Sequence, residues 1–338
     1  MAHGIRSIAK HLGVSLSTVS SVINSTGYVS PEMRERISSY LREVDYQPNL
    51  VARNLRRRET RMIGLIVPDL SNTFYSWISR GAEDFLLSRD YQLIVADSRE
   101  DWARQRDYLM SFSRMRTDGI LLVPSAASDE QIASISALLR GQPLVYIDRS
   151  PVQQSVDAVL IDNHKAAFDA TEHLIRKGHR SIAILTEPLN LLCAADRLEG
   201  YRDALAAHGM RENPEWVYDG GNTKLSAYHA GLKLLSEHRQ LTAAVICNNL
   251  MTLGFLDALR ERDISCPEKF SLISFDECEW SQYVCPSLTT IEQPAAQIGA
   301  TAAQLLLSRL GGRSMDAPST VLMGFQLIER ASTAAISS

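Results

Sequence analysis

Long hydrophobic runs are missing from this 338-residue sequence, and no stretch reaches the length of about 18 apolar residues that a membrane-spanning helix needs. The first residues, MAHGIRSIAKHLG, contain no apolar segment typical of a secretory signal. The five cysteines are scattered and never spaced CxxC, which argues against a disulfide framework or a zinc ribbon. We therefore expect a cytoplasmic protein with no membrane partner, long enough for two or three domains.

The motifs of common enzyme classes are also missing. The sequence has no GxxxxGK[ST] phosphate loop, no GxGxxG, no GxSxG and no HExxH. Its eight histidines are scattered without the spacing of metal ligands. We therefore expect no catalytic residue, no metal and no cofactor.

Positive charge is concentrated at one end of the chain. The formal net charge is −4, but residues 1–60 hold nine Lys/Arg against five Asp/Glu, a balance of +4. The remaining residues hold 26 basic and 34 acidic side chains, a balance of −8. A basic head on an acidic body is expected when only the head contacts phosphate groups.

Three short helices are predicted in the first 47 residues. Apolar residues share one face over 5–12, and Gly13 suits the left-handed residue that ends a helix. Ser15 can cap a second helix that runs to about Ile23, and Ser30 with the following Pro and Glu starts a third. The second helix carries many hydroxyl groups, which predicts a helix-turn-helix that reads the major groove; the alternative is a head that contacts proteins.

A basic segment follows this head. Pro48 ends the preceding helix, and residues 49–55 are too few for a helix that is stable alone. We interpret the segment as a linker that folds with a partner. Its four arginines either form a solvated cluster or follow the phosphates of DNA: Arg53, Arg56, Arg57 and Arg58.

From Met62 onward, apolar strands alternate with amphipathic helices, which predicts parallel sheets covered by helices on both faces. Two similar segments each open such a series: RMIGLIVPDL at Arg61 and RSIAILTEPL at Arg180. The sequence therefore predicts two similar α/β lobes in the body. The predicted fold class is α/β, with an all-α head and two lobes built on doubly wound parallel sheets. Two such lobes bind a ligand between them, at the carboxyl ends of their strands.

The motifs of the whole chain resemble, in order, those of the lactose-repressor/galactose-repressor (LacI) family. The head motifs are SIAKHLGVSLSTVSSVIN, VSPEMRERI and DYQPNLVARNLR, and the body motifs include IGLIVPDLSNTFY, RLEGYRDAL, SLISFDE and PSLTTIEQP. The resemblance implies a dimeric repressor with a periplasmic-binding-protein-like body. It divides the chain into a DNA-binding domain at 1–47, a hinge helix and linker at 48–60, and an effector-binding and dimerisation domain at 61–338. The implied lobes are about 61–160 with 292–320, and about 161–291 with 321–333.

The resemblance also implies which residues contact DNA. Leu55 matches the hinge residue that wedges into the minor groove; the alternative is an apolar cap on a linker. Ser21 stands where relatives commonly carry an Arg that contacts guanine, so the operator sequence does not transfer. The full set of expected DNA contacts is Ser7, Ser15, Leu16, Ser17, Thr18, Ser20, Ser21, Asn24, Tyr28, Asn49, Ala52, Arg53 and Leu55.

The expected effector site collects polar residues that follow the body strands. Carboxylates and amides suit the hydroxyls of a polyol, and arginines suit a carboxylate or phosphate. Arg197 could instead pair locally with Glu199 or Asp203, and Asp276 could cap the next segment. The expected effector-binding residues are Asn72, Phe74, Asp148, Arg149, Cys193, Arg197, Asn222, Asn248, Asp276 and Trp280.

These observations predict a repressor that binds pseudo-palindromic double-stranded operator DNA and is controlled by a sugar acid or a neutral sugar. LTEPL and FDECEW resemble family members that sense 2-keto sugar acids. The final residues ERASTAAISS contain no leucine heptads, so we expect a homodimer, located in the cytoplasm at the nucleoid. Two other classes stay open: a solute-binding protein of a sugar transporter, and a sugar or nucleoside hydrolase.

Overall fold

The computed structural model describes residues 4–23, 26–46, 59–125, 127–151, 156–311 and 317–336. The chain divides into two units, Met1–Thr60 and Arg61–Ser338. Among the described residues, no helix combines the length and the apolar character needed to cross a membrane.

The first unit contains three helices, as the sequence predicts: α1 (Ile5–Leu12), α2 (Leu16–Ile23) and α3 (Pro31–Glu43). Its core is made of apolar side chains from all three helices: Ile8, Ala9, Leu12, Val19, Val22 and Ile37. The core is small because each helix contributes only one narrow apolar face.

Local residues define the ends of these helices. Gly13 ends α1 with φ of 66°, in the left-handed region that glycine adopts without a steric penalty. The Ser15 Oγ accepts a hydrogen bond from the Thr18 N–H at 3.0 Å, and the Ser30 Oγ accepts one from the Met33 N–H at 3.3 Å. Each hydroxyl satisfies a backbone donor that the first helical turn leaves unpaired.

The first lobe of the second unit is built on a six-stranded sheet in the order β11-β5-β4-β3-β1-β2, in which all paired strands are parallel. Its strands are β1 (Met62–Val67), β2 (Gln92–Asp97), β3 (Gly119–Leu122), β4 (Leu144–Ile147), β5 (Asp157–Ile161) and β11 (Thr320–Met323). Its helices are α4 (Thr73–Leu87), α5 (Trp102–Met115), α6 (Asp129–Leu139) and α11 (Ala295–Leu310).

The second lobe repeats this plan with a sheet in the order β12-β10-β9-β8-β6-β7, in which only β12 runs antiparallel to its neighbour among the described strands. Its strands are β6 (Ile182–Thr186), β7 (Val217–Asp219), β8 (Ala243–Ile246), β9 (Ser271–Phe275), β10 (Thr289–Glu292) and β12 (Gln326–Ile328). Its helices are α7 (Asn163–Arg176), α8 (Leu192–Ala207), α9 (Lys224–Glu237) and α10 (Asn249–Glu261), with short 3-10 turns at Pro214–Trp216 and Glu279–Gln282.

The chain crosses between the lobes three times, after β5, after β10 and after β11. The last crossing, predicted at about residue 320, comes after Met323 in the structure. Val321 and Met323 pair with Val159 and Ile161 of β5, so the first sheet keeps the chain through Met323. Residues 321–323 therefore belong to the first lobe.

Two pairs of helices in the second lobe pack with their backbones in contact. A Cβ added at Gly200 of α8 would lie 2.0 Å from the His164 carbonyl oxygen of α7, and one at Gly254 of α10 would lie 2.1 Å from the Lys224 carbonyl oxygen of α9. No side chain fits at such distances, so glycine at these two positions allows the backbones to touch. The close packing fixes the strands whose ends form the site.

Candidate functional site

A cavity of about 450 Å³ lies between the two lobes, where the carboxyl ends of strands from both sheets meet. This volume is within the range of small-molecule sites. Nine of the ten residues expected at the effector site line this cleft: Asn72, Phe74, Asp148, Arg149, Cys193, Arg197, Asn222, Asn248 and Asp276. The tenth, Trp280, does not: it lies in the 3-10 turn Glu279–Gln282 and packs against the main apolar core. Its expected place in the cleft is wrong because this turn directs the indole into the core.

Arg197 lines the cleft, is buried, and is held through its Nε and Nη1. Its Nη1 donates to the Glu187 Oε1 at 3.0 Å and also to the Cys247 carbonyl oxygen, while its Nε donates to the Asn163 Oδ1 at 2.8 Å. The guanidinium stacks 4.3 Å from the centre of the Phe275 ring. The local pairing with Glu199 or Asp203 that the sequence left open is not the one formed.

Arg149 holds a second buried network in the first lobe. Its Nη1 donates to both oxygens of Glu100, at 2.8 and 3.0 Å, and its Nε lies 3.8 Å from the Asp148 Oδ2. The Tyr75 hydroxyl donates to the same Asp148 oxygen at 3.2 Å. Burial raises the pKa of the Tyr75 hydroxyl well above its usual value, so this side chain remains a donor at neutral pH.

Asp148 and Asp276 occupy equivalent positions, directly after β4 and near the end of β9 in their respective lobes. Both backbones are left-handed, with φ of 62° and 68°. Such a conformation is uncommon outside glycine and concentrates at functional sites. Burial raises the pKa of both carboxyls, that of Asp276 to about 6. Asp276 accepts from the Gln293 Nε2 at 2.6 Å and from the Asn249 N–H at 3.4 Å, and does not cap the next segment.

Three asparagines link the cleft to helix starts. Asn72 caps α4 by accepting from the Phe74 N–H at 3.0 Å, and Asn248 caps α10 by accepting from the Met251 N–H at 2.7 Å. The Asn249 Nδ2 donates to the Asn72 Oδ1 at 2.8 Å, which joins the second lobe to the first. These residues therefore have structural roles in addition to any contact with a ligand.

Several residues that line the cleft were not predicted from the sequence, above all Glu187, Gln293, Glu100 and Tyr75. Glu187 follows β6 and Gln293 follows β10, so both stand at the carboxyl end of a parallel strand. The rule that ligands bind at these ends could have identified both from the sequence. Among the described residues, no group of His, Cys, Asp and Glu could hold a metal ion.

The head presents the expected DNA-reading side chains on its surface as far as the described residues reach. Ser7, Ser15 and Ser17 are exposed, Leu16 is 46% exposed and Tyr28 is 93% exposed. Thr18, Ser20 and Ser21 of α2 are half-buried. Five further expected contacts lie outside the described residues: Asn24, Asn49, Ala52, Arg53 and Leu55. The same holds for the predicted hinge helix.

Two family models match the chain: bacterial regulatory proteins, lacI family, over residues 4–49, and a periplasmic binding protein-like domain over residues 171–333. The HTH-type transcriptional regulator RegA of Clostridium saccharobutylicum is 31% identical over 334 residues, which cover 98% of this chain and 100% of RegA. The chain belongs to the lacI family of bacterial regulatory proteins.

Other members of the lacI family show the same extent of similarity. The HTH-type transcriptional repressor PurR of Aliivibrio salmonicida is 31% identical over 90% of this chain and 92% of its own. The transcriptional regulator CelR in complex with cellobiose is 30% identical over 98% of this chain and 99% of that chain, with a TM-score of 0.73. The lac repressor dimer bound to operator and the anti-inducer ONPF is 25% identical over 99% of this chain and 100% of that chain, with a TM-score of 0.88.

These findings confirm the predicted family and the predicted fold of a helix-turn-helix head with a two-lobed α/β body. They also confirm the predicted function: the protein is a DNA-binding transcriptional repressor controlled by a small-molecule effector. The relatives named above are regulators and repressors rather than enzymes.

Proposed function

We propose that this lacI-family repressor binds a pseudo-palindromic operator as a homodimer. Its affinity for the operator changes when a small sugar-type effector occupies the cleft. The observation that carries this proposal is the cleft itself, which collects buried carboxylates, amides and arginines at the strand ends of both lobes. Polar groups fixed in this way suit the many hydroxyls of a sugar or sugar acid. The cellobiose in the CelR structure supports a carbohydrate.

The effector acts, in this proposal, by shifting the arrangement of the two lobes. Asn249 joins the lobes through Asn72, and Asp276 is held by Gln293 at the start of the crossing after β10. A ligand that contacts both lobes changes the free energy of one arrangement relative to another. Operator affinity then changes with the arrangement of the lobes, because residues 48–60 connect the body to the DNA-binding head.

The head reads DNA through α2, with the hydroxyls of Ser15, Ser17 and Thr18 near bases and phosphates. We assign to Leu55 the role of a wedge in the minor groove. A dimer reads two half-sites, because the two-fold symmetry of the protein matches that of its site. We further propose that the protein acts at the nucleoid in the cytoplasm, without a catalytic step and without a cofactor or metal.

The proposal is tested by selecting duplexes from a random DNA library with the full chain. We expect enrichment of an inverted repeat. Leu55→Ala should then bind the selected duplex more weakly, while Leu87→Ala, at an exposed site on α4, should bind it like the wild type. Selection of an asymmetric single site would contradict the dimer, and unchanged binding by Leu55→Ala would contradict the wedge.

A further inference from the structure

Negatively charged side chains outnumber positively charged ones in the lining of the cleft. Its lining contains six carboxylates and three guanidiniums: Asp69, Asp97, Glu100, Asp148, Glu187 and Asp276 against Arg99, Arg149 and Arg197. Arg99 is exposed at the rim, so only Arg149 and Arg197 are buried cations within the site. The lining as a whole is therefore negative at neutral pH, which repels an anionic ligand.

Both buried guanidiniums already have carboxylate partners. Arg149 donates to both oxygens of Glu100, and Arg197 donates to Glu187 as well as to Asn163 and a backbone carbonyl. An incoming carboxylate or phosphate that used the Nη1 of Arg197 would have to displace Glu187, and one that used the same guanidinium at Nη2 would place a second negative charge beside Glu187. The displaced Glu187 is only 3% exposed, so its charge would stay buried without a partner.

Among the described residues, the fully buried side-chain atoms of the cleft that lack a hydrogen-bond partner are all acceptors. Three buried side-chain oxygens that line it have no hydrogen-bond donor among the described residues: Glu187 Oε2, Asn222 Oδ1 and Gln293 Oε1. The Gln293 amide donates its Nε2 to Asp276, which leaves its Oε1 as the atom without a donor. Buried acceptors of this kind are stabilised by hydroxyl or ammonium donors and not by a second set of acceptors.

We propose that the cleft selects a donor-rich ligand without negative charge, a neutral sugar or an amino sugar, and that Glu187 is the residue that excludes sugar acids and sugar phosphates. This inference rests on the proposed function, because it names the ligand class of the same cleft. It replaces the sugar-acid alternative, which two cleft arginines had favoured when their partners were not known from the sequence. Glu187 excludes anions by occupying Arg197 and by adding a buried negative charge.

The first test compares matched ligands by thermal shift and calorimetry on the full chain without DNA. The probes are glucose, galactose and mannose, each with its 2-amino sugar, its uronic acid and its 6-phosphate at equal concentration. We expect the stabilising ligands to be sugars or amino sugars, with no stabilisation by the matching acid or phosphate. Stabilisation by the acids or phosphates alone would overturn the proposal, and so would the absence of binding by every sugar and amino sugar. A larger shift with the amino sugar would identify the positive charge as favourable.

The second test uses Glu187→Gln, which removes the charge and keeps the shape. The variant releases Arg197, so the ratio of affinities for the uronic acid and the neutral sugar should rise by about tenfold or more. Glu199→Gln is the matched control, since Glu199 lies on the same helix as Arg197 but is exposed and faces Arg202. An unchanged ratio in a folded Glu187→Gln variant would overturn the role of Glu187. Both tests measure ligand binding alone. They can therefore be interpreted even if the ligand does not change the affinity for operator DNA.

Discussion

Replacing Arg197 by methionine is expected to destabilise the body strongly, because Glu187 would keep its buried charge and lose its partner. Both side chains are buried, with 3% and 4% of their surface exposed. Breaking a buried ion pair by removing one partner costs about 3–5 kcal/mol. Each kcal/mol lowers the Tm by about 2–4 °C in domains of 150–250 residues, so a loss of roughly 6–20 °C is expected.

The cause is tested by a second substitution. Glu187→Leu should lower the Tm of the wild type, because it leaves Arg197 unpaired. In the Arg197→Met background the same change should raise the Tm, because it removes the unpaired carboxylate. The Asn163 and Cys247 oxygens that Arg197 contacts would still lack a donor, so the double variant should stay below the wild type.

Thermal melts followed by circular dichroism measure all four proteins. The matched control is Arg202→Met on the same helix, whose ion pair with Glu212 is 42% and 24% exposed. Exposed pairs of this kind contribute about 0–1 kcal/mol, so the control should melt within a few degrees of the wild type. The reasoning would be refuted if Glu187→Leu lowered the Tm equally in both backgrounds.

Three further predictions follow from the same structure. Gly200→Ala should lower the Tm by several degrees, because its Cβ would overlap the His164 carbonyl oxygen and force α7 and α8 apart; an unchanged Tm would contradict this packing. Ser15→Ala should remove the cap of α2 at a cost of about 0.5–2 kcal/mol, seen as faster hydrogen exchange of the first-turn amides such as that of Thr18, and equal exchange would refute it. Burial raises the pKa of the Asp276 carboxyl to about 6, and the ionised carboxylate is the better acceptor for a sugar hydroxyl. The Kd for a neutral sugar should therefore rise by up to about tenfold per pH unit below pH 6. A Kd that stays constant between pH 5 and pH 7 would contradict this.

The periodicity of apolar residues and the capping residues of helices were enough to predict the strands and helices that carry site residues. The apolar runs at Met62 and Arg180 became β1 and β6, and Ser15 and Ser30 cap helices as expected. The short strands β7, β10, β11 and β12 could not be predicted from the apolar runs. A strand of three or four residues has too few alternations to be distinguished from a loop, and β11 is assigned to the first sheet only by its pairing with β5.

Nine of ten expected cleft residues could be placed because the polar positions after parallel strands converge in space. What the sequence did not provide was the partner of each charge. Arg197 and Glu187 are ten positions apart and come from different elements, so their ion pair forms only when the second lobe is folded. The two arginines alone suggested an acidic effector, whereas their partners favour a ligand that donates hydrogen bonds. Trp280 was misplaced because a short turn decides which way its ring faces.

The central claim, that cleft occupancy controls operator affinity, is tested most directly by titrating the selected operator with the full chain. The titration is made with and without the sugar that stabilises the protein most in the thermal-shift series. We expect a change in operator Kd of about fivefold to 150-fold, the range of ordinary allosteric coupling. The same Kd at saturating sugar, with ligand binding verified in the same sample, would contradict it.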